Sequence, residues 1–205
     1  MTVKATIKWK PVERKPLISV MIPAVPSRMA KLSNLVTYLR TLAEDHPEEI
    51  EIIALLDDWG MTTGRKDGEL LRMALGKYVV WIHDDDSVTA DYFKILVPLA
   101  AGHNVDVIGY PMRRFKVKGY EDLLTAGPAA TAPPFQLKGR FPGAYCLWRR
   151  EYVSQFLDVW PDQTPSDVAI YELWRSKSPT SIVLDKPEYL YYDLGESEAR
   201  RHYTI

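Results

Sequence analysis

Two apolar runs that each stop at a cluster of acids constrain this chain more than any other feature. Residues 50–56 end in Asp57-Asp58, and residues 78–82 end one position before Asp84-Asp85-Asp86. Short runs rich in β-branched and aromatic residues suit strands buried on both faces. A third run, residues 17–22, is closed by Pro23 and has the same character. Between the runs the period changes. Leu32, Leu35, Val36, Leu39 and Leu42 recur at helical spacing behind Ser27, the expected N-cap. Leu70, Leu71, Ala74 and Leu75 form a shorter stripe, with Gly76 as the expected C-cap. Residues 92–99 suit a helix and 105–109 a fourth strand, while Ala5, Ile7 and Trp9 alternate like an edge strand. Alternating strands and helices predict an α/β fold with a mixed, mostly parallel sheet flanked by helices. The 205 residues suit a single domain, with residues 17–110 as a binding half and 111–205 as a second half.

That second half is less regular. Pro111, Gly119, Gly127, Pro128, Pro133, Pro134, Gly139 and Pro142 predict a long loop over 111–142. Helices are expected near 149–157 and 167–175, and short strands at 182–184 and 189–191, before a polar tail.

In open α/β sheets, ligands bind beyond the carboxyl ends of the strands, which is where the acids fall. Three adjacent carboxylates repel one another. At about 5 Å and an effective dielectric of about 20, each pair costs about 3 kcal/mol. A divalent cation removes that cost, and oxygen ligands suit Mg²⁺ or Mn²⁺. In an extended segment residues i and i+2 share a face, so Asp84 and Asp86 can address one ion. A bare triple-Asp also suits a solvated turn that caps the next helix.

The strings ISVMIPAVPSR, EIIALLDD and GKYVVWIHDDDSVTADYF, in that order over residues 17–110, resemble the N-terminal half of glycosyltransferase family 2. The resemblance implies a GT-A fold and a nucleoside-diphosphate sugar donor, a UDP-sugar foremost. It places Pro23 and Ala24 along the nucleotide cleft, Asp57 facing the base and Lys66 near the nucleotide. Asp84 and Asp85 fall on the nucleotide-sugar side. Asp86, or Asp85 in the alternative register, takes the metal between the two phosphates. The family's D-x-D-D pattern departs at its first position, where this chain has His83. Either Asp84 and Asp86 form the working pair, or His83 stands in for the first carboxylate, or it packs beside the site. PGAYCLWRREYVSQF and PSDVAIYELWRSK resemble the family's acceptor-side segment and its "ED" motif. Asp167 there matches the catalytic base and Ser166 stands where Glu is usual, which implies an inverting transfer. A carboxylate can take the acceptor hydroxyl's proton, and Asp167 equally suits a helix N-terminus. His202, in the tail, is a candidate metal ligand by the same resemblance and otherwise an end residue.

Composition bounds the partners. The net charge is −1, so no polyanion is demanded by the whole chain. Residues 113–150 are different, with eight Lys/Arg against two acids and aromatics between them. That pattern suits a phosphate-bearing acceptor, a nucleic acid or a lipid-linked sugar, or else a plain saccharide with the cations scattered over separate surfaces. Cys146 is the single cysteine, which fits a reducing cytoplasm. No apolar run approaches about 18 residues, so no transmembrane segment is expected. Two rivals remain: a binding module that kept the fold without catalysis, and a nucleotidyltransferase. The latter wants a glycine-rich loop after the first strand, and PAVPSR has no glycine.

Overall fold

A computed structural model describes residues 5–8, 15–58, 60–116, 121–124, 145–157, 177–186 and 188–193. In chain order it runs β1 (Ala5–Lys8), β2 (Ile18–Ala24), a 3-10 turn Pro26–Arg28, α1 (Met29–Leu42), β3 (Ile50–Leu56), α2 (Thr63–Met73) and β4 (Tyr78–Trp81). There follow β5 (Ser87–Val88), α3 (Tyr92–Gly102), β6 (Val107–Gly109), β7 (Met112–Lys116) and β8 (Glu121–Leu124). The last elements are β9 (Leu147–Arg149), α4 (Arg150–Ser154), β10 (Ser181–Val183) and β11 (Tyr189–Asp193).

Seven strands form one sheet in the order β1-β3-β2-β4-β9-β6-β10. β3, β2 and β4 pair in parallel, and β6 and β10 run the same way, while β1 and β9 run against them. The sheet is therefore mixed and mostly parallel, as the alternation of elements predicts. In the parallel register Met21 lies beside both Ile53 and Trp81, so the three strands finish along one edge. The segments that follow them share that edge.

Period-two alternation divides the core. Ile18, Val20 and Ile22 face the same side as Ile52, Tyr78 and Val80, against Leu32, Leu35 and Leu39 of α1 and Phe93 and Leu96 of α3. Met21, Ile53, Val79 and Trp81 face the other side, against Leu70 and Leu71 of α2 and Tyr152 and Val153 of α4. Each fully buried Leu or Ile contributes about 1.5–3 kcal/mol over an exposed one. Among the described residues no helix is long and apolar enough to cross a membrane.

The helix ends differ from expectation. Pro26 opens a 3-10 turn after the extended Val25, and α1 begins at Met29 with Arg28 in the cap position and no side-chain cap. Ser27 therefore sits inside the turn and is not the N-cap, because the fixed φ of Pro26 starts the coil earlier. Likewise α2 stops at Met73 and Ala74 takes the cap position. Gly76 is needed for packing: a Cβ there would lie 2.6 Å from Ser19 N and 2.7 Å from Tyr78 O, both backbone atoms. Its N–H donates to Ser19 Oγ (2.8 Å), whose hydroxyl donates to Glu51 (2.7 Å). Glu51 also accepts from Leu75 N (2.9 Å), so one buried carboxylate ties the turn after α2 to β2 and β3.

Part of the expected loop 111–142 is strand. β7 and β8 join β5 and β11 in a second sheet of order β5-β11-β7-β8. β7 pairs in parallel with β11, from Met112 beside Tyr189 to Lys116 beside Asp193. A partner so distant in sequence leaves no local signal. Trp9, the rest of the loop, the expected 167–175 helix and the tail lie outside the described residues.

Candidate active site

The acid segment leaves β4 and turns at once. Asp86 N donates to His83 O at 3.0 Å, closing a turn over residues 83–86. The alternation expected of an extended segment therefore does not hold. Asp84 points to Arg28, whose Nη1 donates to Asp84 Oδ1 at 2.9 Å and lies 2.9 Å from Asp85 Oδ2. His83, Asp85 and Asp86 instead gather, with one ligand atom from each lying within 4.8 Å of the others. Asp86 is buried, and its Oδ2 accepts a 2.6 Å hydrogen bond from the Tyr189 hydroxyl. The His83 ring is partly exposed, with its Nδ1 4.0 Å from Asp86 Oδ2.

Electrostatics follow from burial and crowding. Burial pushes the Asp84 carboxyl above its usual range and outweighs the Arg28 guanidinium, which pulls the other way. For His83, burial disfavours the cation, but the carboxylates of Asp86, Asp67, Asp85 and Asp84 together win and raise its pKa. Burial, then the Asp86 carboxylate, holds the Tyr189 phenol well above its ordinary value, so it is a hydrogen-bond donor. One imidazole and two carboxylates within reach of one point, in a field this negative, could hold a divalent cation.

The floor beneath is a buried ion pair. Lys66 Nζ lies 2.6 Å from Asp57 Oδ1, and both side chains are fully buried. Lys66 also donates to Ala24 O (3.4 Å) at the end of β2, and Asp57 Oδ2 accepts from Met61 N (2.8 Å). Thr62 caps α2 by accepting from Arg65 N, which sets Lys66 on the first turn beneath β2 and β3. The four residues expected at the nucleotide, Pro23, Ala24, Asp57 and Lys66, are thus brought together. Asp57 and Lys66 spend their charges on each other in this structure and brace the end of β2 from below.

Asp167 and His202 lie outside the described residues. So do Lys118, Lys138 and Arg140 of the basic segment. Two more of its cations serve the fold. Arg149 pairs with Asp106, which also accepts from Thr180 N (2.9 Å) and Thr180 Oγ1 (2.7 Å), and Arg150 Nε donates to Gly76 O (2.9 Å). Trp148 is core, stacked on Tyr152.

Three participants escape sequence reasoning. Arg28 sits in the quoted PAVPSR string, but nothing local tells that it will meet the acids. Asp67, fully buried on α2, contributes to the His83 field. Tyr189 is 103 positions from the carboxylate it holds.

Residues 27–155 match the family model for Glycosyl transferase family 2, well over half of the chain. At the level of sequence, no curated protein matches it. Among solved structures, S. aureus TarS residues 1–349 is 15% identical, with a TM-score of 0.62 over 86% of this chain and 60% of that one. The same protein in complex with UDP is 14% identical, with the same TM-score and coverage. Its complex with UDP-GlcNAc is 16% identical, with a TM-score of 0.57 over 92% of this chain and 62% of that one. The chain spans about three fifths of the length of these structures, and at such identity the likeness is one of fold. That fold is the GT-A arrangement implied by the strand motifs. The family match runs from the 3-10 turn after β2 to just past α4, more than half of the chain, and the chain belongs to glycosyl transferase family 2.

Proposed function

We propose that this chain moves a sugar from a nucleoside-diphosphate donor, a UDP-sugar foremost, to an acceptor hydroxyl with inversion, using Mn²⁺ or Mg²⁺. The observation that carries the reading is the convergence of His83, Asp85 and Asp86 at the strand edge. The UDP and UDP-GlcNAc complexes of TarS support a uridine donor. A bound ion there would act as a Lewis acid on the diphosphate oxygens as negative charge builds on the leaving group. His83, Asp85 and Asp86 would hold it, and the imidazole in that set would favour Mn²⁺ over the harder Mg²⁺. Arg28 neutralises Asp84 and part of Asp85, which keeps the turn folded when the diphosphate is away. Pro23 and Ala24 line the nucleotide cleft, and the Asp57–Lys66 pair supports it from beneath. Asp167 accepts the proton of the attacking hydroxyl. The cytoplasm is the proposed setting, since Cys146 is a free thiol buried in the core.

The test is nucleoside-diphosphate release from a panel of nucleotide sugars. We expect slow UDP release from a UDP-sugar, faster with Mn²⁺ than with Mg²⁺, and stopped by EDTA. Thermal stabilisation by UDP with no release under any acceptor mixture would instead identify a binding module. Asp167→Asn is expected to bind UDP–Mn²⁺ like the parent while transfer falls by about a hundredfold. Equal loss of binding and transfer would remove Asp167 from the role of base.

A further inference from the structure

The acid turn is fastened from behind by a strand that arrives from the far end of the chain. β11 pairs antiparallel with β5, placing Tyr189 beside Val88 just beyond the turn. Glu188 accepts a short hydrogen bond from the Thr89 hydroxyl, and Thr89 N donates to Glu188 O at 3.1 Å. Glu188 N donates to Pro111 O at 3.2 Å, so the strand is held on its other side as well. Tyr189 is buried, and its ring lies 5.3 Å from that of Tyr145. Its hydroxyl donates to Asp86 Oδ2 (2.6 Å) and accepts from His83 N (3.4 Å). A single phenol oxygen thus touches both ends of the turn that carries the convergent ligands.

We infer that Tyr189 is the positioning residue for Asp86: its buried hydroxyl fixes the orientation of the carboxylate that joins His83 and Asp85 in the convergent group. This rests on the metal reading of His83, Asp85 and Asp86 proposed above. A carboxylate free to rotate offers an ion either oxygen or both, and must be ordered when the ion arrives. One already held by a buried donor is ordered beforehand. Loss of such outer hydrogen bonds typically lowers metal affinity 10- to 100-fold.

The experiment titrates Mn²⁺ alone into the intact chain and follows free Mn²⁺ by its EPR signal, with thermal unfolding recorded alongside. Tyr189→Phe keeps the ring and removes the hydroxyl; we expect Mn²⁺ affinity to fall 10- to 100-fold. Tyr78→Phe is the comparison, since it deletes another buried phenol, bonded to His103 O (3.2 Å) and Val105 O (3.0 Å) at the opposite end of β4 from the turn. It should leave Mn²⁺ affinity within about twofold, which a general loosening of the core would not. Parent-like Mn²⁺ affinity in Tyr189→Phe overturns the inference, as does an equal drop in both variants. Should Tyr189→Phe fail to fold, Thr89→Val deletes the hydroxyl that bonds Glu188 and so loosens the seat of Tyr189 with the phenol in place. It must also weaken Mn²⁺ binding, and unchanged affinity overturns the inference. If the parent binds no Mn²⁺, the metal reading itself fails, a result distinct from all of these.

Discussion

Asp86→Ala is expected to lower UDP-sugar turnover by about three orders of magnitude or more in saturating donor and Mn²⁺. Metal stabilisation of a departing diphosphate amounts to several kcal/mol, and each 1.4 kcal/mol is a factor of about ten in rate. Asp86 is the buried member of the convergent group. Asp84 gives the contrast. Its carboxylate is already committed to Arg28, so Asp84→Ala should leave much more activity than Asp86→Ala. The measurement is UDP release for both variants across a Mn²⁺ series. Turnover of Asp86→Ala within tenfold of the parent, or a ranking reversed between the two, removes Asp86 from the metal site.

The second large effect is on folding. Lys66→Met should lower stability by about 3–5 kcal/mol, because it leaves the Asp57 carboxylate buried without its cation. For a chain of this size that is a fall in Tm of roughly 10 °C. Methionine retains most of the side-chain volume, so the loss reports charge and not a cavity. Adding Asp57→Asn to Lys66→Met removes the stranded charge while keeping an acceptor for Met61 N. The double variant should recover most of the loss, which a thermal-unfolding cycle of the four proteins measures. A Tm for Lys66→Met within about 2 °C of the parent would show that the pair is solvated and not buried.

What the sequence made legible follows from range. Residues 18–24, 50–56 and 78–81 declare themselves as strands because burial on both faces demands nearly continuous apolar runs, and the acids that follow the second and third mark the edge where the candidate site lies. The helical stripes were legible as stripes, but their ends were not. Pro26 began the coil before Ser27 could cap it, and the tight approach of Ser19 and Tyr78, invisible locally, is what requires Gly76. The acids were located but their geometry was not, since an Asp84–Asp86 pairing assumes extended backbone and the hydrogen bond from Asp86 N to His83 O bends it. β11 was legible as a strand near 189–191, but the small sheet it joins was not, because β7 pairs in parallel with it from more than 70 positions earlier. Arg149 looked like part of a cationic surface and proved to anchor Asp106, since charge in a sequence does not say which way a side chain will face.

The seating of β11 between β5 and β7 bears on how the protein matures during synthesis. Residues 18–101 can be emitted by the ribosome and assemble their parallel strands while the C-terminal stretch is still being translated. The strand that latches the acid turn emerges only about a hundred residues after the turn itself. A nascent or prematurely released polypeptide therefore carries β2, β3 and β4 without the strand that bonds the turn, and the turn acquires its Tyr189 contact late in translation.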